Sequence, residues 1–213
     1  MITNYSPNML KIYQTCPKKF YYRYVEGVNV PVSATPFEKG KKIHALAHYF
    51  LQGVNISRIE TALTQEERDV WNTLLDNPFF QKDYYKSEYQ LSCKIGDYWV
   101  GGRIDAVVTT GEDYFILDYK TGSIPKNPEY DYQTMVYLLA LDKFLKGKYS
   151  SLSFVYINLK EKKNHVIKFT PQLRLEYESR IIDICTKIND DNTFNVDTNS
   201  CSRCEYAKIC QLL

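Results

Sequence analysis

The sequence contains no apolar run long enough to span a membrane, and Met1 to Leu10 is polar with an early proline. A signal peptide would instead carry an apolar core. Internal repeats and low-complexity segments are also absent. These absences predict a soluble, cytoplasmic protein. With 213 residues, 44% of them hydrophobic, the chain can form one good core, so we expect a single domain.

Net charge is small, at +2, and by itself does not indicate a nucleic-acid-binding protein. The first fifty residues are basic, however, with seven Lys and Arg against two Glu. Aromatic residues are interleaved with these charges between Tyr13 and Tyr24. Such a mixture can follow phosphates and stack on bases. The aromatics are equally compatible with a helix surface over a tyrosine-rich core.

Two acidic residues stand at the ends of predicted neighbouring strands. Gly102 to Asp105 opens one strand, and Asp118-Tyr119-Lys120 ends the next. The side-chain period of two puts Asp118 and Lys120 on one face and Tyr119 on the other. Two carboxylates near a lysine suit a Mg²⁺ ion that holds a phosphate and activates a water. The alternative is a weak ion pair on a solvated strand.

Apolar periodicity predicts a mixed α/β fold. Helices from Pro7 to Thr15, Pro17 to Val25 and Phe37 to Leu51 precede the strands, with a loop from Glu26 to Pro36. The strands lie between Glu88 and Lys120, followed by a crossover helix from Tyr130 to Leu145, two strands and a last long helix. The expected division is a helical part (1–80), a sheet core (85–170) and a C-terminal helix with a cysteine cluster (171–213).

Six cysteines in a cytosolic chain favour metal binding over disulfides. Four of them form the predicted cluster: Cys16, Cys201, Cys204 and Cys210. The usual occupant of a Cys-x2-Cys motif is structural zinc. Binding at this cluster would tie the two ends of the chain together. Cys93 and Cys185 lie in apolar patterns and are expected to be buried without a metal role.

Six motifs in order carry a family resemblance: Cys16-Pro17, Gly40 to His44, Gly102 to Asp105, Asp118 to Lys120, Gln133 to Tyr137 and Cys201 to Cys210. With these motifs the chain resembles the RecB-like branch of the PD-(D/E)XK nuclease superfamily that carries an iron–sulfur cluster. The branch includes CRISPR-associated RecB-like exonucleases and AddB-type recombination subunits. The resemblance implies a restriction-endonuclease-like fold. The literal Pro-Asp is absent, and Arg103-Ile104-Asp105 stands in its place.

The resemblance also implies roles for residues. The metal ligands would be His44, Asp105, Asp118 and the Tyr119 carbonyl. Lys120 would orient the attacking water, while Gln133, Tyr137 and Glu88 would contribute to the site. The four clustered cysteines would hold a [4Fe–4S] cluster. His48, one helical turn after His44, could compete for its role.

The implied function is a Mg²⁺- or Mn²⁺-dependent DNA nuclease, with single-stranded ends as substrate and 5′-to-3′ exonuclease activity. The implied setting is DNA repair, recombination or CRISPR adaptation, with a helicase or CRISPR integrase as partner. One alternative is a non-catalytic DNA-binding subunit of such a complex. Another is a zinc-stabilised endonuclease of restriction type.

Overall fold

The computed structural model describes residues 2–30 and 35–210, except for the side chains of residues 35–39, 200 and 203. The first half contains β1 (Asn4–Tyr5), α1 (Pro7–Thr15), α2 (Pro17–Phe20), a π-helical turn (Tyr21–Val25), α3 (Thr35–Leu51), α4 (Ser57–Thr61) and α5 (Gln65–Leu75). The second half contains β2 (Asp83–Ile95), β3 (Tyr98–Thr110), β4 (Asp113–Lys120), a 3-10 turn (Pro128–Tyr130), α6 (Tyr132–Leu145), β5 (Ser151–Asn158), β6 (Lys163–Lys168), α7 (Pro171–Asp190) and a 3-10 segment (Thr198–Arg203).

Helix starts agree with the capping residues in the sequence. Ser6 accepts a hydrogen bond from the Met9 amide, with proline at the first helical position of α1. Thr64 and Glu67 form a reciprocal capping box at α5. The predicted helix from Pro17 to Val25 is confirmed as a helical span, although its second half is π-helical. Residues 31–34 of the predicted loop lie outside the described residues.

The sheet is mixed, as predicted. Its strands follow the order β1-β3-β4-β5-β6, with β2 also paired to β3. β2, β3 and β4 are antiparallel, while β4 and β5 are parallel and joined through α6. The predicted parallel crossover is therefore confirmed. β1 was not predicted from the sequence; its two residues pair with Trp99 and Val100 of β3.

Helices cover both faces of the sheet. α1, α6 and α7 pack on one face, and α3 and α5 on the other. The buried strand β4 contributes side chains to the core on both faces of the sheet. Ile116 faces α6, whereas Leu117 and Tyr119 face α3. Cys93 and Cys185 are buried on the α6 face, as predicted, and burial raises the pKa of each thiol. Among the described residues, no helix has the length and apolarity needed to cross a membrane.

Candidate active site

An interrupted edge of β3 creates the site. β2 pairs with one edge of β3 along most of its length. The other edge pairs with β1 at Trp99 and Val100, and with β4 only from Ala106 to Thr110. The backbone between, residues 101–105, is left without a strand neighbour on that edge. A side chain hydrogen-bonds to the backbone here instead of a strand: the Tyr137 hydroxyl donates to the Arg103 carbonyl oxygen at 2.9 Å.

β2 and β3 both change face beside this gap. On β2, Ser87 contacts His48 of α3, whereas Tyr89 packs against Phe144 of α6. Two residues apart on a regular strand would share a face, so the backbone must turn between them. It turns at Glu88, which has a left-handed φ of 48°. Such a conformation is uncommon outside glycine, and it places Glu88 beside the gap.

β3 changes face at the opposed position. Ile104 packs in the α6 layer, whereas Ala106 packs in the α3 layer. Asp105 lies between them, and the register of the flanking pairs sets it opposite Glu88. Both carboxylates are therefore presented at the same point of the sheet by irregular backbone rather than by the regular pleat.

His44 of α3 joins the two strands at this point. Its Nδ1 lies 3.1 Å from Asp105 Oδ1, and its Nε2 lies 3.1 Å from the Tyr119 carbonyl oxygen. The Tyr119 amide donates to Asp105 Oδ2 at 3.1 Å. Burial lowers the pKa of His44, but the bond to Asp105 and the charges of both aspartates outweigh it and raise the pKa overall. Both ring nitrogens face acceptors, an arrangement that suits a protonated imidazole.

Asp118 lies behind this group on the α6 face of the sheet, opposite the face of Tyr119, as the strand period predicted. Its side chain is almost fully buried, and Oδ1 accepts a short hydrogen bond from Gln133 Nε2. Lys120 Nζ lies 2.8 Å from Oδ2 but not in hydrogen-bonding geometry, so Oδ2 has no donor among the described residues. Burial raises the pKa of Asp118 to about 6, the Asp105 charge adds to this, and Lys120 opposes it.

Gln133 connects Asp118 to Lys120. While its amide nitrogen donates to Asp118, its oxygen accepts from Lys120 Nζ at 3.2 Å. Asp131 caps α6, because its Oδ1 accepts a hydrogen bond from the backbone N–H of Gln133. This cap fixes the first turn of the helix, which carries the Gln133 side chain. One glutamine thus sets the separation of the carboxylate and the ammonium group.

Glu88 completes the group on the open side. One ligand atom each from His44, Glu88 and Asp105 lies within 4.8 Å of the others, close enough to bind one cation. Arg103 Nε also pairs with Glu88 Oε2 at 2.8 Å. Carboxylate, imidazole and carbonyl groups are all donors that divalent cations accept. The structure therefore brings all predicted site residues of the sheet, α3 and α6 into one region.

A cleft of about 1120 Å³ opens over this region. Its lining residues are Ser6, Pro7, Asn8, Lys11, Gly40, Lys41, His44, Ala45, His48, Tyr49, Glu88, Gly102, Arg103, Asp105, Thr121, Asp131, Gln133 and Tyr137. Asp118 and Lys120 are not among these lining residues. Gln133 is among them, and it hydrogen-bonds to both. The lining residues between Ser6 and Lys11 were not predicted, because they reach the cleft through tertiary contacts: the pairing of β1 with β3 and the ion pair of Lys11 with Asp131.

The four predicted cluster cysteines also come together. Cys16, Cys201, Cys204 and Cys210 line one small pocket. Cys16 Sγ accepts from the Asp197 amide at 3.5 Å, which links the N-terminal segment to the C-terminal tail. Lys19 Nζ lies 2.8 Å from Glu205 in the same tail, and Lys18 lies over the rings of Tyr21 and Tyr22. These basic side chains contact the tail and neighbouring rings, and they do not line the cleft.

Comparison with known proteins identifies the family. The model of the PD-(D/E)XK nuclease superfamily matches residues 4–101 and 84–211. This chain therefore belongs to the PD-(D/E)XK nuclease superfamily, which is the superfamily that its motifs predict.

Two curated relatives are similar over part of their length. CRISPR-associated exonuclease Cas4 of Francisella tularensis subsp. novicida is 26% identical over 124 residues, covering 57% of this chain and 61% of that protein. RecBCD enzyme subunit RecB of Borreliella burgdorferi is 28% identical over 123 residues, covering 49% of this chain and 10% of that protein. The matches thus span about three fifths of the first relative and a tenth of the second.

A solved structure shares the fold. A protein from Eubacterium rectale, named provisionally as an exonuclease, superimposes with a TM-score of 0.61 at 12% identity. The match covers 98% of this chain and 88% of the other. The restriction-endonuclease-like architecture predicted from the motifs is confirmed by this likeness and by the family match.

Proposed function

We propose that this protein is a Mg²⁺- or Mn²⁺-dependent deoxyribonuclease that trims single-stranded ends as an exonuclease, in the 5′-to-3′ direction. One observation carries the proposal. His44, Glu88 and Asp105 bring ligand atoms within 4.8 Å of one another at the cleft, and the adjoining strand β4 carries the buried Asp118 paired with the partly exposed Lys120. The alternative interpretation, a weak ion pair on a solvated strand, would not explain the cleft or the histidine beside the carboxylates.

The residues fit a divalent cation. The proposed ligands are His44, Asp105, Asp118 and the Tyr119 carbonyl, with Glu88 on the open side. Asp118 Oδ2 is buried and pairs with Lys120 Nζ at 2.8 Å without accepting a hydrogen bond among the described residues, so it keeps a lone pair for a cation. His44 would bind the cation as the neutral imidazole, so metal binding would release the proton that this ring holds between Asp105 and the Tyr119 carbonyl. When bound, the cation contributes Lewis-acid stabilisation of the phosphate and lowers the pKa of water.

Lys120 acts directly at the scissile phosphate, and Gln133 and Tyr137 position the groups around it. Lys120 carries three donors, and its contacts with Asp118 and Gln133 leave capacity for a phosphate oxygen or the attacking water. Gln133 holds Lys120 and Asp118 at a fixed separation, so we assign it a positioning role. Tyr137 fixes the β3 backbone through the Arg103 carbonyl, and its role is likewise positional.

The relatives inform the proposed substrate and pathway. One is named a CRISPR-associated exonuclease and the other a RecBCD subunit, which supports DNA as substrate. We propose a role in CRISPR adaptation or in DNA repair and recombination, with an integrase or helicase as partner. We also propose that residues 1–213 form a single nuclease domain.

We also propose that Cys16, Cys201, Cys204 and Cys210 hold a [4Fe–4S] cluster. The donor set fits, because four thiols line one pocket and no other residue type there is a strong soft ligand. Zinc would suit the same four sulfurs. A brown protein containing iron and sulfide supports the cluster, since zinc thiolates are colourless.

The cleavage test uses end-labelled single-stranded DNA with Mg²⁺ or Mn²⁺. We expect Asp118→Asn and Lys120→Ala to lower cleavage by at least about 100-fold, because each removes charge at the reacting phosphate. The matched control is Asp97→Asn, which alters an exposed aspartate at the β2–β3 turn and should leave cleavage unchanged. Labelling each end in turn gives the polarity.

Full cleavage by both site variants would contradict the proposed site. DNA binding by the wild-type protein without cleavage, in either metal, would instead support the non-catalytic DNA-binding subunit.

A further inference from the structure

One face of α3 lines the cleft in two parallel rows. The inner row is Gly40, His44 and His48, and the outer row is Lys41, Ala45 and Tyr49. Members of each row are four residues apart, so they follow one another along the helix surface. The inner row contains the histidine of the proposed metal site. The outer row leads from that site along the mouth of the cleft.

The outer row has a cation at one end, an aromatic ring at the other and a single methyl group between. Lys41 is exposed and has no ion-pair partner among the described residues. Ala45 is also exposed, and its side chain is a single methyl group. Tyr49 is 42% exposed although it lines the cleft. Tyr49 follows His44 by five residues, about 7.5 Å along the helix axis.

The inner row holds this aromatic surface in place. His48 Nδ1 lies 2.8 Å from Ser87 Oγ, and Ser87 is buried in β2. The rings of His48 and Tyr49 have centroids 5.6 Å apart. The end of α3 is thus fixed to the strand that carries Glu88. A surface already fixed loses little conformational entropy when a ligand binds.

We propose that Tyr49 is a stacking platform for an unpaired base next to the scissile phosphate, and that Lys41 contacts a neighbouring phosphate across Ala45. The inference rests on the proposed nuclease function and adds the residue that selects single-stranded DNA. A paired base hides both faces in the duplex stack, so only an unpaired base can place its face on Tyr49.

Cations on three elements line the cleft: Arg103 of β3, Lys11 of α1 and Lys41 of α3. Arg103 pairs with Glu88 and Lys11 with Asp131, whereas Lys41 has no carboxylate partner among the described residues and is available to a phosphate. A polyanion running over the proposed metal site meets all three. The exposed aromatic residues Trp99 and Phe144 are outside the lining. Tyr49 is therefore the exposed ring that shares a cleft with these cations.

The test measures stacking directly. Single-stranded oligonucleotides carry the fluorescent base 2-aminopurine at one position at a time, with Ca²⁺ replacing Mg²⁺ so that the strand stays intact. We expect wild-type protein to quench the fluorescence most strongly at one position, and Tyr49→Ala to abolish that quenching. Affinity for the single strand should fall about 5- to 100-fold, the range for losing one base–aromatic stack. Tyr49→Phe keeps the ring and should restore both signals.

Two further variants separate stacking from general damage. Ala45→Leu is compatible with an exposed helix position and puts a larger side chain between Lys41 and Tyr49, so it should weaken binding of the single strand as Tyr49→Ala does. Trp99→Ala removes an exposed aromatic outside the cleft and should bind like wild type. Wild-type affinity and unchanged quenching in Tyr49→Ala would overturn the inference even if cleavage is confirmed. A wild-type protein that neither binds nor cleaves DNA would instead overturn the proposed function itself.

Discussion

At the scale of single residues, Gly102 shapes the site through the side chain it lacks. A Cβ atom there would lie 3.0 Å from the Tyr137 hydroxyl oxygen and 3.1 Å from Cε1 of the same ring. The Tyr137 ring fills this space and bonds the unpaired Arg103 carbonyl. The glycine of the Gly-x-Ile-Asp motif is therefore explained by close packing of α6 against β3.

We expect Gly102→Ala to destabilise the protein by about 1–3 kcal/mol, because the added methyl group overpacks against Tyr137. Chemical denaturation measures the loss. Tyr137→Phe removes the nearest clashing atom, so the double variant should lose less than the sum of the two single variants. Strictly additive losses would show that Tyr137 is not what Gly102 accommodates.

The residues with the strongest motif context were the most predictable. Asp118 and Lys120 share a face because the strand period requires it, and the structure places them so. Glu88 was less predictable, since its position depends on a left-handed backbone angle that no local pattern indicates. The cleft residue Tyr49 carries no motif and emerges only from the three-dimensional lining.

At the scale of elements, the segment after α7 is organised by Asp191. Its Oδ1 accepts from the amides of Thr193 and Phe194 at 2.9 and 2.8 Å, and Oδ2 accepts from the Tyr13 hydroxyl at 2.8 Å. Phe194 then packs on Phe20 and Tyr21. One carboxylate thus joins α1, α7 and the start of the cysteine tail.

We expect Asp191→Asn to cost about 1–2 kcal/mol of unfolding free energy at pH 7, because charge-assisted hydrogen bonds are lost. Burial raises the pKa of Asp191, but the hydrogen bonds from Phe194, Tyr13 and Thr193 outweigh it, so the folded-state pKa is lowered. A lowered pKa gives stability that is present above the unfolded value, near 3.9, and is lost as pH falls further.

The difference between Asp191→Asn and wild type should therefore shrink when urea denaturation is repeated at about pH 3, below the unfolded pKa. The neighbouring exposed Asp190 provides the control, and Asp190→Asn should stay within about 0.5 kcal/mol of wild type. An equal loss for Asp191→Asn at both pH values would mean that its charge is not the cause.

Elements with clear periodicity and caps were predicted closely, whereas β1 was not. Two residues are too few to show a period, and their pairing with β3 is decided by tertiary contact. That pairing matters to the site, since β1 and β4 bound the gap on the β3 edge. The cleft could therefore not be derived from the sequence, although most of the residues proposed to act in it could.

At the scale of the whole molecule, the proposed cluster joins the two ends of the chain. Cys16 lies 185 positions before Cys201, the nearest of the other three cysteines in the sequence, yet all four line one pocket. Closing a loop of this length removes about 4–5 kcal/mol of unfolded-chain entropy. Ligand binding at thiolate sites contributes on the order of 10 kcal/mol more.

We expect Cys204→Ser to lose the brown colour and to lower the melting temperature by about 10 °C or more, since several kcal/mol are removed from a chain of this size. Cys93→Ala is the control, because Cys93 is buried in the core away from the cluster and should keep the colour. An unchanged melting temperature in Cys204→Ser would refute the clamp between the chain ends.

The central claim is that α3, β3 and β4 together bind the divalent cation of the reaction. Anomalous diffraction from a crystal soaked in Mn²⁺ tests it most directly. We expect a manganese peak in contact with His44, Asp105 and Asp118. A fully soaked crystal with no peak there, and with His44 still bonded to Asp105 and the Tyr119 carbonyl, would contradict it.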